Sequence, residues 1–374
     1  MLGAGFSQAA GLPLGRQLWE IIQSQAGNRL DRDIEDYLRY RRECDGVTLG
    51  ADDIDFEDFL SFLDLDHHLG LKGSDNWEVE GGYSQQLVKS LIGKALVERT
   101  PPAESLPEAY YDFASQLAPG DRVLTFNYDV LLERAMDSVG KPYRLFQERY
   151  SEVRSTYGVC DSSGKDEVVL LKPHGSVDWF DRAGYAEREE NLREFELDAT
   201  PKHPVFATDA DVGYQKLLEG PQLSDERLCS VYRVVDGLDD LYRGSSPGNM
   251  VTPFLLTPSK AKAIYADHFR SFWWDIAKGG AYRLGIVVIG YSLPQHDEYA
   301  KQALWCLLRS YQDSFWKDEL LPGRRKRPVI MIDFATDQEQ KERYRARYSF
   351  VEDGKSVFLF DGFHKESVRK IQEG

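Results

Sequence analysis

Five short clusters hold the side chains that could do chemistry in this chain. Gly3-Ala4-Gly5-Phe6-Ser7, running on to Gly11-Leu12-Pro13, packs glycines closely enough for a backbone to approach a pyrophosphate and turn its amides toward it. Thr125-Phe126-Asn127-Tyr128-Asp129 follows the strand-like run RVLTF. Lys172-Pro173-His174-Gly175-Ser176 follows VVLLK and offers an imidazole, a base near neutral pH. Gly290-Tyr291-Ser292-Leu293-Pro294 follows LGIVVI and suits close approach of a ribose or phosphate, with Ser292 as a donor. Asp333 closes VIMID, where a strand-tip carboxylate commonly accepts from ribose hydroxyls.

Each cluster also has a purely structural reading. The glycines could form a tight turn without a ligand, and Asp129 is a good helix cap. Asn127 divides evenly between capping and binding, and a lone strand-end histidine is more often a structural hydrogen-bonder. Ser292 or Asp297 could cap the next helix, and Asp333 could be a solvated strand end.

The elements needed to position these clusters are legible as alternation. Arg122–Phe126, Val168–Lys172, Pro253–Leu256, Leu284–Ile289, Val329–Asp333 and Val357–Phe360 are short, apolar and β-branched. Continuous rather than alternating apolar runs suit strands buried on both faces of a parallel sheet. Helical patterns follow at Val130–Ser138, Lys260–Ala277, Glu298–Tyr311 and Gln338–Tyr348. The expectation is an α/β protein with a doubly wound, Rossmann-like parallel sheet, a single domain over 1–374. Two stretches break the rhythm. Residues 14–117 read as a mostly helical insertion, and residues 181–249 as an irregular insertion that could cover the site. Only Met1-Leu2 precedes the glycine loop, where a buried strand normally stands; the expectation is truncation, the alternative a sheet lacking that edge.

Composition narrows the function classes. A net charge of −16 disfavours direct nucleic-acid binding. The one dense basic run, Arg324-Arg325-Lys326-Arg327, reads as a solvated loop. Cys44, Cys160, Cys229 and Cys306 are scattered singly, with no C-x-x-C pair, so neither a zinc ribbon nor a disulfide framework is expected, and no metal. There is no signal-peptide pattern and no membrane-spanning apolar run, so a cytoplasmic protein is expected.

Order and spacing say more than any one cluster. Gly3 to Arg16 resembles, without a gap, the sirtuin opening G-A-G-[IV]-S-x-x-x-G-[IL]-P-D-F-R; Thr125, Asn127 and Asp129 resemble its T-Q-N-x-D; His174-Gly175 resemble its H-G pair; Gly290 to Leu293 resemble its G-x-S-L turn; and Asp333 falls near its next strand tip. Two departures bear on activity: Leu14-Gly15 replace the family's Asp-Phe, whose phenylalanine shields the deacylase intermediate, and the two C-x-x-C pairs that usually follow H-G are absent. The forms T-F-N-Y-D, K-P-H-G-S and G-Y-S-L-P are similar to sirtuin-like NADases of bacterial antiphage defence, some of which pair with a HerA-type ATPase or a short Argonaute.

That resemblance implies NAD as substrate, cleaved at its nicotinamide–ribose bond, with Asn127 and His174 at the reacting centre. It implies that Gly3, Ala4, Gly5, Phe6, Ser7 and Arg16 surround the pyrophosphate, that Asp129 assists Asn127, and that Gly290, Tyr291, Ser292 and Asp333 serve the adenosine side. It also implies a homo-oligomer and a protein partner such as a HerA-type ATPase. The alternatives are a protein deacylase, an ADP-ribosyltransferase, or a non-catalytic NAD or ADP-ribose scaffold.

Overall fold

The computed structural model describes residues 1–71, 82–154, 157–160, 166–183, 186, 190, 193–194, 211–220, 228–245, 250–273, 276–294, 297–317, 320 and 323–373. Its spine is a parallel sheet. Strands β1 (Arg122–Leu124) and β2 (Tyr143–Arg144) flank β5 (Val168–Leu171) in the order β1-β5-β2, while β9 (Val287–Ile289), β10 (Val329–Ile332) and β11 (Ser356–Leu359) lie in the order β11-β10-β9.

A single residue joins the halves. Leu2 bridges in parallel to Thr125 on one side and to Ile289 on the other. Its N–H donates to the Leu124 carbonyl at 2.8 Å, its carbonyl accepts from Phe126 N–H at 3.0 Å, and Ile289 N–H donates to the Met1 carbonyl at 2.8 Å. The strand position expected before the glycine loop is therefore central rather than at an edge, and Met1–Gly3 occupies it. Counted from Leu2, the order β5-β1-Leu2-β9-β10-β11 is the 3-2-1-4-5-6 order of dinucleotide-binding sheets, whose winding reverses between Leu2 and β9. The doubly wound α/β expectation holds. Strands β1, β5 and β10 are buried almost throughout, as their unbroken apolar runs require.

Two expected elements differ. Pro253–Leu256 is not a ladder strand: Pro253 has no N–H to give, and the segment makes only an isolated bridge, Leu255 with Gly175. Lys260–Ala277 is not one α-helix. It winds as short 3₁₀ turns, Lys262–Ile264 and Ala266–Trp273, and then a helical turn at Ile276–Gly279. Phe269 and Phe272 are buried in the sheet's core, with Tyr265, Ala266, Trp273 and Ile276 packed against it.

Residues 14–117 carry helices α2 (Gly15–Ala26), α3 (Asp31–Cys44), α4 (Phe56–His68), α5 (Tyr83–Val97) and α6 (Glu108–Gln116), after the single turn α1 (Ala4–Gln8). Helices α2 to α5 pack in a second apolar core, shared with residues such as Val177, Tyr242 and Leu255, where Trp19 stacks on Phe56 at 4.8 Å and Tyr37 meets Phe59 edge-on at 5.6 Å. Helix α6 and α7 (Leu131–Ser138) belong to the sheet's core instead.

The stretch read as irregular, 181–249, contains more order than its polarity suggests. Strands β7 (Gly213–Lys216) and β8 (Val231–Asp236) pair antiparallel with each other, and β8 pairs with β6 (Trp179–Asp181). The helix Leu238–Arg243 packs on α5, where Tyr242 fills the space left by Gly93 and donates to the Val177 carbonyl at 2.6 Å. A further hairpin, β3 (Tyr150–Arg154) with β4 (Tyr157–Cys160), stands apart from the main sheet. The remainder of the expected cover lies outside the described residues. In the basic run, Lys326 is buried, donating to the Tyr311 carbonyl at 2.7 Å over that residue's ring, while Arg324, Arg325 and Arg327 are exposed. Among the described residues no helix is long and apolar enough to cross a membrane, and no group of three His, Cys, Asp or Glu is placed to hold a metal.

Candidate active site

The strand tips converge because glycines let them touch. The Gly290 Cα lies so close to the first loop that a β-carbon on it would meet Phe6 N at 2.3 Å, and its φ of +61° is one that side chains avoid. Gly5 N–H donates to the Gly290 carbonyl at 2.9 Å, and Gly3 N–H to Ile289 at 2.9 Å. The two loops at the winding reversal are thus locked edge to edge. Phe6 turns away into an aromatic cluster with Tyr110, Phe113 and Phe363, which anchors the turn from behind.

Above this seam opens a cavity of 810 Å³, within the range of small-molecule and cofactor sites, about 300–1,000 Å³. Its sheet side is formed by Gly3, Ala4, Ser7, Asn127, Asp129, His174, Gly290, Tyr291 and Ser292; α2 contributes Arg16 and Trp19, and Asp52 to Glu57 close the far wall.

Asn127 is held by a short chain of bonds. Its Nδ2 donates to the Gly3 carbonyl and to Ser7 Oγ, both at 2.9 Å; Ser7 donates in turn to Asp129 Oδ2 at 2.7 Å, and Asp129 Oδ1 accepts from Leu131 N–H at 3.1 Å. The capping reading thus fits Asp129 and not Asn127. Because a carbonyl can only accept, the amide orientation is fixed and both Nδ2 hydrogens are committed. What Asn127 offers a ligand is its oxygen, an acceptor for a ribose hydroxyl or a carboxamide N–H. Lys172, fully buried, donates to the Asp129 carbonyl at 2.6 Å and pairs with Glu133 at 2.8 Å, tying this loop to the end of β5.

His174 follows two residues later. Gly175, at φ +79°, sits where a β-carbon would meet the Phe254 carbonyl at 2.3 Å, so the chain can fold back sharply beneath the ring. The imidazole lies among Phe126, Tyr128 and Tyr299, with centroids at 5.2, 6.2 and 6.0 Å, and its Nε2 is 2.5 Å from the Tyr299 hydroxyl. Burial, reinforced by the Lys262 ammonium and opposed by Asp297, pushes its pKa down to about 3, so the ring is neutral at physiological pH.

Beside it stands a pair that the sequence did not single out. Lys262 forms a buried ion pair with Asp297, whose Oδ2 also accepts from the Tyr291 hydroxyl at 3.1 Å. Burial alone would raise the Asp297 carboxyl, but Lys262, His174 and Tyr291 bring it below its ordinary value. Asp297 stands at the head of the helix Glu298–Asp313 without giving it a side-chain cap. Glu57 reaches the cavity from the first turn of α4, which Asp55 caps through Asp58 N–H at 2.9 Å. Burial pushes its carboxyl up to about 7. Glu57, Lys262 and Asp297 all sat in patterns read as ordinary helix or cap, and no local spacing distinguishes them.

The other expected residues divide. Arg16 lines the cavity but is largely solvated, pairing with Glu20 at 3.3 Å. Gly5 and Phe6 support the loop from outside the cavity. Asp333 is not brought to it: its backbone bonds to Leu359 and Gly362, its carboxyl is half-buried, and the cavity ends short of it.

A SIR2-like domain model matches residues 121–225, the segment that carries Asn127, Asp129 and His174 but neither the glycine loop nor Gly290–Leu293. A SIR2-like domain points to NAD-dependent chemistry in general. Among solved structures, one from a study of the structural basis of sirtuin substrate affinity aligns over 100% of this chain and 91% of its own, at 11% identity and a TM-score of 0.33. No curated protein matches the chain.

Proposed function

We propose that this protein is an NAD glycohydrolase, with the cavity at the winding reversal as its active site and nicotinamide and ADP-ribose as products. The observation that carries the reading is the meeting, on one cavity, of Asn127 and His174 from within the SIR2-like segment with Gly3, Ala4, Ser7 and Gly290–Ser292 from outside it. Dinucleotides bind α/β sheets at this topological position.

Gly3, Ala4 and Ser7 would border the pyrophosphate, and Ser292 the adenosine half. The Asn127 oxygen would accept from the nicotinamide ribose or carboxamide, held there by Ser7 and Asp129. Breaking the C1′–N bond sends its electron pair to the pyridinium nitrogen, which becomes neutral, while positive charge builds on the sugar. A site that fits that flattened, charged sugar better than the ground state accelerates the step. His174, as neutral imidazole, would accept a hydrogen from a ribose hydroxyl or the incoming water.

Incubation with NAD and measurement of released nicotinamide tests this directly. Asn127→Ala and His174→Ala should each lower the rate by about 100-fold or more. Full cleavage by either variant would refute the assignment. Because hydrolysis needs no acyl-lysine peptide, a strict requirement for one would turn the reading toward a deacylase.

Free NAD cleavage is toxic to its host, so the activity should be gated. Support comes from Tyr299, whose hydroxyl engages the His174 Nε2 at 2.5 Å. The proposal therefore includes a homo-oligomeric effector of antiviral defence, switched on by assembly or by a partner such as a HerA-type ATPase. The isolated chain should turn NAD over slowly; fast turnover by a monomer, read by sedimentation alongside the assay, would contradict gating.

A further inference from the structure

Two groups in the cavity could take the proton of an attacking water, and their surroundings differ. His174 is enclosed on three sides by aromatic rings, its Nε2 engaged by the Tyr299 hydroxyl, with the Lys262 ammonium disfavouring a second positive charge on the ring. That environment favours an imidazole that orients a hydroxyl over one that stores a proton. Glu57 comes from the helical layer instead. Its helix is fixed by the Asp55 cap, Phe56, Phe59 and Leu60 are buried in that layer's core, and Glu57, half-buried, lines the cavity between them.

We propose that Glu57 is the catalytic base of NAD hydrolysis, taking the proton of the water that attacks C1′. The inference rests on the NAD-cleavage reading and adds to it a residue from outside the sheet. As the C1′–N bond breaks and its electron pair leaves with nicotinamide, a lone pair on the water oxygen forms the new C1′–O bond. One water proton passes to the Glu57 carboxylate and then to solvent. His174 keeps the ribose hydroxyl.

The charges around Glu57 suit this work. Lys262 and Lys260 favour its ionised form from the segment after Pro258, while Asp297, at the head of the Glu298 helix, and Asp55, on its own element, disfavour it. Tyr128, on the sheet side, is near enough for Glu57 to disfavour ionisation of its hydroxyl. Burial outweighs the lysines and pushes the carboxyl up to about 7, where a base is half-ionised at working pH and still accepts a proton readily. The sign follows: the carboxylate works when deprotonated, so the rate should rise with pH through about 7.

The test is nicotinamide release from NAD between acid and mildly alkaline pH by wild type, Glu57→Gln and Glu57→Asp, with ADP-ribose affinity measured for each. Glu57→Gln should lose about 100-fold in kcat and the rising limb, while ADP-ribose affinity stays within about threefold. Glu57→Asp, if the glutamine variant folds poorly, should retain a rising limb at reduced rate. Wild-type rate and an unchanged limb in Glu57→Gln would overturn Glu57 as the base and leave the NAD-cleavage reading standing. No nicotinamide from wild type would overturn both.

Discussion

At the scale of single residues, environment decides more than identity. His174 and Glu57 share a cavity, yet burial, reinforced by Lys262, keeps one neutral as a base form, while burial against the pull of the same lysine pushes the other up into the physiological range. This has a consequence for stability. The unfolded histidine takes a proton near its ordinary value of 6.5, whereas the folded ring resists it until about 3, so the unfolded state binds more protons between those limits. The contribution of this site is fully present above about 6.5 and lost progressively as the pH falls toward 3. Melting curves at pH 7.5 and pH 5 should show a smaller drop for His174→Gln than for wild type. An equal drop would mean that the ring is not shielded as described. The histidine, the asparagine and the serine were legible from sequence because they stand at strand tips. Glu57, Lys262 and Asp297 were not, because their meaning arises from one another, and they stand far apart in the chain.

At the scale of elements, apolar runs of strand length marked β1, β5, β10 and β11 to within a residue or two, and β9 to within three. They failed where hydrogen-bonding capacity overrides apolarity: Pro253–Leu256 has the composition of a strand but runs beside Gly175 as an isolated bridge. The helical pattern over Lys260–Ala277 likewise gave way to short 3₁₀ turns instead of one α-helix. The seam between the glycine loop and the Gly290 turn is the element-scale feature on which the site depends. Gly290→Ala would force a β-carbon against Phe6 N while placing it in left-handed backbone. It should cost about 2 kcal/mol or more and weaken ADP-ribose binding, measurable by denaturant titration and calorimetry. Wild-type stability and affinity in this variant would show that the loops are not in contact in solution.

At the scale of the whole molecule, two layers enclose one cavity. The sheet supplies Asn127 and His174, and the helical layer of residues 14–117 supplies Arg16, Trp19 and Glu57. The sheet was readable as alternation, but its centre was not: one residue, Leu2, forms it, and a single apolar position has no periodicity to detect. Nor could sequence reveal that the described part of residues 211–245 braces α5 and keeps away from the cavity. The winding reversal turns this architecture into a spatial prediction for an entire ligand. The measurement closest to it is the structure of the His174→Ala protein with NAD bound. The account predicts a pyrophosphate against Gly3–Ser7 and a nicotinamide ribose within hydrogen-bonding distance of the Asn127 oxygen. NAD bound outside this cavity, or lying in it with the nicotinamide ribose away from Asn127, would contradict it.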